Sequence, residues 1–456
     1  MKLSHLDSIK RNRSENMTTV IPESMQKLIN HVKEFFPNDL KLQQMFEQCF
    51  VNTYTTTMKE QKDGKTFVIT GDIPAMWLRD SAAQVRPYLL VAEEDEKIAN
   101  LLEGVIRQQF AFILHDPYAN AFNESANGKG HQADLTKMTP HIWDRKYEID
   151  SLCYPVQLAY LFWKSTGRTS HLKESFQRVI ETIIHVWRVE QDHETHSPYR
   201  FERLDVRQSD TLIRNGKGGR VVPTGMTWSA FRPSDDACTY GYLVPANMFA
   251  VVVLGYAAEI CDEVLNNHLL QEECLNLRKE IQNGIEQSAK LNHPIHGEIY
   301  VYETDGEGRF NLMDDANVPS LLAAPYLGYL PFDDLTYKNT RSFLLSRDNP
   351  YYYEGKYANG IGSPHTPDHY IWHIALAIQG MTSTNETERQ EILTYFKMTD
   401  GGTNFMHEGF NADCPEEFTR DWFAWANTMF SEFVLCLTGK AVKGSPLYYQ
   451  LMKEKQ

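Results

Sequence analysis

Amphipathic helical patterns recur along almost the whole chain, and they constrain its fold more than any other feature. The first begins near Ile21 and places Leu28, Ile29 and Val32 on one apolar face. Further helices are predicted over about residues 40–54, 81–90, 97–114, 145–166, 171–190, 244–266, 271–291, 320–327, 335–345, 369–379, 387–397 and 423–437. A chain with this pattern is expected to belong to the all-α class.

Long segments rich in Gly, Pro, Asp and aromatic residues separate alternate helices. They span residues 57–80, 115–144, 197–243, 292–319, 346–368 and 399–422. Short connections that alternate with long ones are typical of helical hairpins closed into a ring. The pattern therefore predicts an (α/α)6 barrel whose long loops gather on one face and form the active-site pocket. A solenoid of helical pairs is the alternative, but no repeat of fixed period supports it.

Short strand-like runs at 67–69 and 297–302 are expected to form hairpins within these loops. We find no low-complexity linker, so residues 21–456 are predicted to be a single catalytic domain after a polar N-terminal lead, residues 1–20.

Charge and hydropathy exclude several classes of partner. The net charge is -15 and no long run of Lys or Arg occurs, so binding to nucleic acid or to an anionic membrane surface is not expected. The N-terminal residues lack an apolar segment typical of a signal peptide, and no uninterrupted apolar stretch appears long enough to span a bilayer. A monomer in the cytoplasm is the expectation.

Cysteine and histidine spacing predicts neither a metal nor a cofactor. The seven cysteines are scattered and never spaced as CxxC, which argues against a disulfide framework and a zinc site. His293 and His296 are three residues apart but are not expected to have a carboxylate or cysteine partner nearby. GxSxG, P-loop, GxGxxG, HExxH and DxDxDG motifs are missing as well.

The plentiful aromatic residues suit a site that stacks against ring-shaped ligands. Cleavage of a glycosidic bond requires a protonated carboxyl for the leaving oxygen and a second carboxylate for water or for the sugar. Candidates for these roles are acids in the long loops, beside aromatic residues and hydrogen-bond donors. Five clusters meet this description.

The first cluster is GDIPAMWLRDS, residues 71–81, where Trp77 can stack on a sugar face and Arg79 and Asp80 can hold hydroxyl groups. The alternative is a helix start with Asp80 or Ser81 as N-cap. The second cluster, KYEIDS, contains Asp150, either as a cap or as a hydroxyl ligand.

The third cluster, residues 225–236, contains the adjacent acids Asp235 and Asp236 near Trp228. A capped helix start is the alternative, but adjacent carboxyls can also have separated pKa values, one kept protonated and one ionised. The fourth, YANGIGSPHT, has glycines that permit close approach of a ligand, and His365 can donate to a hydroxyl, although a lone loop histidine is more often structural.

The fifth cluster comprises FMHEGF and the nearby FTRDWFAW. Glu408, flanked by Gly and aromatic residues, is the best isolated candidate for a base. The sequence at Arg420 and Asp421 repeats that of Arg79 and Asp80, again at a loop-to-helix junction, so two such junctions can hold a ring from two sides.

Together, GDIPAMWLRDSAAQVRPY, YEIDSL, FRPSDDAC, YANGIGSPHT and MHEGF resemble glycoside hydrolase family 125. Members of that family are exo-α-1,6-mannosidases with an (α/α)6 barrel. The similarity extends from about residue 22 to about residue 440, with all five motifs in the expected order.

The resemblance implies a metal-independent, inverting hydrolase acting on α-mannoside oligosaccharides such as N-glycan fragments. Asp235 corresponds to the general acid and Glu408 to the base, although the motif does not separate Asp235 cleanly from Asp236. The residues implied in or near the mannose site are Arg79, Asp80, Asp150, Trp77, Trp228, Asp236, His365, Arg420 and Asp421.

Three alternatives stay open from the sequence. One is another (α/α)6 glycosidase, for example a glucoamylase-like enzyme. A second is a non-catalytic carbohydrate-binding barrel. The third is a phosphorolytic enzyme, which would use one acid and an anion site.

Overall fold

The computed structural model describes residues 20–454. The predicted N-terminal lead lies almost wholly outside the described residues. The numbered α-helices are α1 (Glu23–Phe35), α2 (Leu40–Thr56), α3 (Leu78–Val85), α4 (Glu96–His115), α5 (Ile149–Thr166), α6 (Glu174–Gln191), α7 (His193–His196), α8 (Val244–Glu263), α9 (His268–Ser288), α10 (Ala324–Leu327), α11 (Leu335–Leu344), α12 (His373–Met381), α13 (Glu386–Met398), α14 (Ala424–Leu437) and α15 (Pro446–Glu454). A short helical segment, Ile213–Gly216, contains two left-handed residues and is left unnumbered.

Short strands are confined to the long connections. They are β1 (Met58–Glu60), β2 (Thr66–Val68), β3 (Met76–Trp77), β4 (Ala121–Phe122), β5 (Ile142–Asp144), β6 (Tyr242–Leu243), β7 (Lys290–His293), β8 (Gly297–Tyr300), β9 (Glu303–Thr304), β10 (Phe310–Asn311), β11 (Tyr352–Glu354), β12 (Asn359–Ile361), β13 (Tyr370–Trp372), β14 (Gly409–Asn411) and β15 (Cys414–Phe418). They form small antiparallel sheets in the orders β1-β2, β3-β4-β5, β10-β9-β6, β7-β8, β11-β12 and β13-β14-β15.

The helices fall into an inner and an outer set. α3, α5, α8, α10, α12 and α14 are buried on nearly all faces. Within this set α3 packs on α5, α5 on α8, α8 on α10, α12 on α14 and α14 on α3. Outer helices bury one apolar face: α9 packs on α8, α13 on α12, α4 on α5 and α2 on α14. The protein is therefore mainly helical, with one continuous core between the two sets.

Helices of the outer and inner sets differ at their N-termini. Five outer helices, α2, α4, α9, α11 and α13, are capped by Asp or Asn side chains that accept a backbone N–H, as Asp39 accepts from Leu42. The inner helices α3, α5, α8, α12 and α14 follow extended residues and lack side-chain caps. Their free N–H groups create a positive potential that favours carboxylates in the first turn.

Most helix predictions are confirmed, with shifted ends. The helix expected over 320–327 covers only Ala324–Leu327, and the one expected from 369 starts at His373 because β13 precedes it. Helix α15 was missed. Both predicted hairpins are present, as β1-β2 and β7-β8.

Among the described residues, one helix, α8, is long and apolar enough to cross a membrane by length and composition. The expectation that no stretch reaches this length is therefore wrong. In the folded chain 83% of its most apolar window is buried, as is usual for a central core helix.

Candidate active site

A cavity of about 350 Å³ lies at the N-terminal ends of the inner helices α3, α12 and α14, and its volume is in the range common for small-molecule sites. Trp77, Trp372 and Phe423 line it, and each immediately precedes an inner helix. The full lining comprises Thr70, Asp72, Ile73, Trp77, Arg79, Asp80, Pro233, Ser234, Asp235, Asn317, His365, Trp372, Glu408, Arg420, Phe423 and Trp425.

The first and fifth sequence clusters meet in this lining. At Gly71, φ is 125°, and a Cβ atom there would lie 2.5 Å from the carbonyl oxygen of Trp422, so only glycine fits the contact. The Asp72 N–H donates to that same carbonyl over 3.2 Å, and the Arg420 guanidinium donates to the Asp72 carboxylate. The two loop-to-helix junctions thus converge on one cavity.

Arg79 lies at the centre of four carboxylates. Its Nη1 donates to Glu148 over 2.6 Å and to Asp150 over 3.0 Å, while Nε lies 3.6 Å from Asp80 and Nη2 3.9 Å from Asp235. Burial raises the pKa of Glu148 well above its usual value, and Arg79 offsets only part of this rise. The Arg79 guanidinium is therefore the buried cation that links these carboxyls beneath the cavity.

Asp80 is the third residue of α3, where its carboxylate faces the cavity rather than capping the helix. Burial raises the pKa of Asp80 to about 6, against the lowering effect of the charges on Arg79 and Arg420. A carboxyl that keeps its proton longer in the folded state stabilises the fold at low pH, and this contribution is lost as the pH rises through the folded pKa.

The stability of the wild type relative to Asp80→Asn should therefore fall as the pH rises from about 4 to about 7. The expected change is up to about 3 kcal/mol in the free energy of unfolding, measured by urea denaturation across this range. A difference that stays constant with pH would contradict the raised pKa.

Asp235 lies in the loop before β6, with its side chain 29% exposed towards the cavity and a left-handed φ of 67°. The buried Lys146 ammonium donates to the Asp235 carbonyl oxygen over 2.6 Å, and Asn120 Nδ2 donates to the Asp235 carboxylate over 3.1 Å. Burial would raise the pKa of Asp235, but the charges of Lys146 and Arg79 hold it below its ordinary value. Two carboxyls around Arg79, Glu148 and Asp235, therefore have pKa values shifted in opposite directions.

Asp236, the neighbouring acid, points away from the cavity and is 1% exposed. Its Oδ1 lies 3.1 Å from Nδ1 of His365, which does line the cavity. Burial lowers the pKa of His365, but the hydrogen bond and charge of Asp236 outweigh it and raise the pKa overall. Asp236 therefore acts on the cavity through His365, whereas Asp235 faces the cavity directly.

Glu408 is 8% exposed, lines the cavity and lies directly before β14. Gly409, the next residue, pairs with Trp372 in β13, and both Trp372 and Glu408 line the cavity. Arg420 Nη1 lies 3.7 Å from the Glu408 carboxylate. The preceding His407 is held by its stacking on Phe418, with ring centroids 3.6 Å apart, which fixes the backbone at this point.

The cavity brings together seven of the predicted site residues: Trp77, Arg79, Asp80, Asp235, His365, Glu408 and Arg420. Asp150 and Asp236 lie behind the lining and contact it through Arg79 and His365. Their alternative interpretation as helix caps, and that of Asp235, is not what the structure shows.

Two predicted residues are elsewhere. Trp228 does not line the cavity, because its ring is buried in the core and stacks on His193 at a centroid distance of 3.6 Å. Asp421 is exposed and absent from the lining, since the chain turns at Arg420, whose φ is 54°.

Sequence reasoning missed several residues of the site. Asp72, Glu148 and Trp425 lie inside clusters that had been recognised, and their carboxylate or aromatic side chains were a usable signal. Asn317 and Trp372 come from segments without such a motif. Nδ2 of Asn317 is buried without a hydrogen-bond partner, so it is available to a ligand in the cavity.

The sequence profile of metal-independent alpha-mannosidases, glycoside hydrolase family 125, matches residues 39–435. The chain belongs to this family. The protein is therefore a glycoside hydrolase and a metal-independent alpha-mannosidase, as the resemblance of its motifs implied.

Two individual proteins support this assignment. The chain is 48% identical to a metal-independent alpha-mannosidase of Streptococcus pneumoniae, solved as a non-productive substrate complex with alpha-1,6-mannobiose. That comparison has a TM-score of 0.91 and covers 92% of this chain and 99% of the other. The chain is also 38% identical over 443 residues to the meiotically up-regulated gene 157 protein of Schizosaccharomyces pombe. That alignment covers 91% of this chain and 86% of the other protein.

More distant likeness extends only to the fold. A solved glycosidase variant is 11% identical, with a TM-score of 0.52 over 87% of this chain and 96% of that one.

Proposed function

We propose that this family 125 enzyme removes non-reducing terminal α-1,6-linked mannose from oligosaccharides or N-glycan fragments, with inversion at the anomeric carbon. The single observation that carries this proposal is the cavity in which Asp235 and Glu408 face a common space floored by Arg79 and Asp80. The complex of the Streptococcus pneumoniae relative with alpha-1,6-mannobiose supports the linkage. The family match removes the reason to retain the glucoamylase-like and non-catalytic alternatives.

The proposed scaffold is an (α/α)6 barrel. Its support is the alternation of the buried helices α3, α5, α8, α10, α12 and α14 with outer helices, and the contact of α14 back to α3. In such a barrel, the N-terminal ends of the inner helices and the loops before them surround one mouth. This arrangement accounts for the cavity position.

In the proposed mechanism Asp235 donates a proton to the glycosidic oxygen, and Glu408 removes a proton from the attacking water. In the ligand-free site the pKa of Asp235 lies below its ordinary value and that of Glu148 lies well above it, so Glu148 is the proposed source of the proton. A bound sugar would exclude water from the exposed part of Asp235, and this desolvation favours transfer of the proton to Asp235. Arg79 would stay paired with Glu148 and Asp150 throughout and keep the cluster in place.

Proton NMR of α-1,6-mannobiose hydrolysis tests linkage, sugar and stereochemistry together. β-Mannose is expected as the first product, followed by slower mutarotation to the α-anomer. α-Mannose as the first product would establish retention and overturn the inverting mechanism. Faster cleavage of α-1,2- or α-1,3-mannobiose would overturn the proposed linkage but not the mechanism.

A further inference from the structure

A cluster of potential metal ligands lies outside the cavity. Among residues 20–454, His293, His296 and Asp348 bring one ligand atom each to within 4.8 Å of the others. The histidines lie at the end of β7 and in the turn before β8, and Asp348 follows α11. The interpretation that these histidines lack a carboxylate partner was wrong, because the fold places Asp348 Oδ2 2.8 Å from His296 Nε2.

His296 has the contacts expected of a metal-binding histidine. Its Nδ1 lies 3.2 Å from Ser342 Oγ, and its Nε2 faces the Asp348 carboxylate. When Nδ1–H donates to Ser342, Nε2 presents a lone pair to a carboxylate oxygen, and a cation between the two atoms relieves their repulsion. Such an outer hydrogen bond on the second ring nitrogen is the usual way in which proteins orient a ligating imidazole.

His293 loses only two weak hydrogen bonds if it becomes a metal ligand. Its Nδ1 accepts the N–H groups of Ile295 and His296 over 3.3 and 3.4 Å, which is longer than a normal hydrogen bond of this type. Moving the ring proton to Nδ1 gives up these two weak bonds and frees Nε2 for a metal. The Phe343 ring lies against both imidazoles, with centroid distances of 5.5 and 5.8 Å, and supports their orientation.

We propose that His293, His296 and Asp348 form a surface site for a borderline divalent transition metal ion of the Zn²⁺ class. Two imidazole nitrogens and one carboxylate oxygen are ligands that Zn²⁺, Co²⁺ and Ni²⁺ accept, and solvent can complete the coordination because Asp348 is 39% exposed. Ligands of a tetrahedral zinc ion lie about 3.3 Å apart. The more distant ligand atoms therefore need to approach by at most about 1.5 Å, and His296 Nε2 and Asp348 Oδ2 need to separate by about 0.5 Å.

The site would have a structural role rather than a catalytic one, since none of its ligands lines the cavity. The β7–β8 hairpin already rests on α11, where Thr340 Oγ1 accepts from the Tyr300 N–H over 3.0 Å and Asn339 Nδ2 donates to the Glu298 carbonyl over 3.2 Å. A metal ion would add a cross-link between the hairpin turn and the segment after α11. The expected consequence is higher stability with unchanged catalysis.

The test uses untagged full-length protein, stripped of metal with a chelator and titrated with Zn²⁺ by calorimetry and with Co²⁺ by visible absorption. We expect one ion per chain, ligand-field bands of low-symmetry Co²⁺, and a rise in Tm of about 1–3 °C at saturating Zn²⁺. Hydrolysis of α-1,6-mannobiose should be the same with and without metal. His293→Ala, His296→Ala and Asp348→Asn should each weaken binding at least about tenfold.

His268→Ala is the matched control, because exposed His268 lies 3.4 Å from Asp262 but belongs to no such three-residue cluster in the described part of the chain. This variant should retain the full metal response. Failure of the wild type to bind one ion, or unchanged binding after His293 and His296 are both replaced, would overturn the proposal. A metal-free His296–Asp348 hydrogen bond would then account for the geometry.

Discussion

Replacing Glu408 with glutamine is expected to lower kcat by about 10²–10⁴-fold, because the amide cannot accept a proton from the attacking water. Asp235→Asn should cause a loss of similar size for α-1,6-mannobiose, since the amide cannot protonate the leaving oxygen. Both side chains face the cavity, and neither is the sole partner of a buried charge. Folded but inactive variants are therefore expected, with initial rates measured by mannose release and folding checked by circular dichroism.

A substrate with a good leaving group separates the two roles. Fluoride departs from α-mannosyl fluoride without full protonation, so Asp235→Asn should recover much of its activity on this substrate, whereas Glu408→Gln should stay inactive. Glu416→Gln, an exposed change in neighbouring β15, is the matched control and should behave as the wild type. Wild-type rates in both site variants, or rescue of Glu408→Gln by the fluoride, would contradict the assignment.

Arg79→Met is expected to lower the free energy of unfolding by about 3–5 kcal/mol, the usual loss when one partner of a buried ion pair is removed. The substitution leaves Glu148, Asp150 and Asp80 buried without their central cation. Because these carboxyls can take up protons, the loss should be largest near pH 8 and smaller near pH 5. Urea denaturation at the two pH values measures it.

Arg188→Met is the matched control for this change. Arg188 pairs with Glu280 over 3.1 Å, but both side chains are more than one-third exposed, so little stability depends on the pair. An equal effect of the two substitutions would show that Arg79 contributes no more than a surface charge. Activity should be lost in Arg79→Met, because Asp80, Glu148 and Asp150 then lack the cation that balances their charge and holds their side chains in place.

Helix positions were predictable because apolar periodicity is a local property, and the outer helices carry Asp and Asn caps that mark their starts. The ends of the inner helices were predicted less accurately. Buried on nearly all sides, they lack both a polar face and a side-chain cap, so α12 was placed several residues early and α10 several residues too long. The short strands before α3 and α12 depend on pairing with distant segments, which no local pattern specifies.

Five local motifs were enough to identify the family and to select Arg79, Asp80, Asp235 and Glu408 as site candidates. They did not distinguish a residue that faces the cavity from one that lies behind it. Asp235 and Asp236 differ only because a left-handed φ at Asp235 turns successive side chains to different surroundings. Trp228 satisfied the same compositional criteria as Trp77, yet the packing of His193 against its ring places it in the core.

The sequence by itself determined the helical class, the family and the motifs that supply the chemistry, because these depend on residue type and local spacing. Tertiary structure alone decided which carboxylates surround Arg79, in which direction burial and charge shift their pKa values, and that Asp348 meets His293 and His296. These relations join residues that lie tens to hundreds of positions apart, so they depend on chain packing and on burial, which sets the charge of each carboxyl.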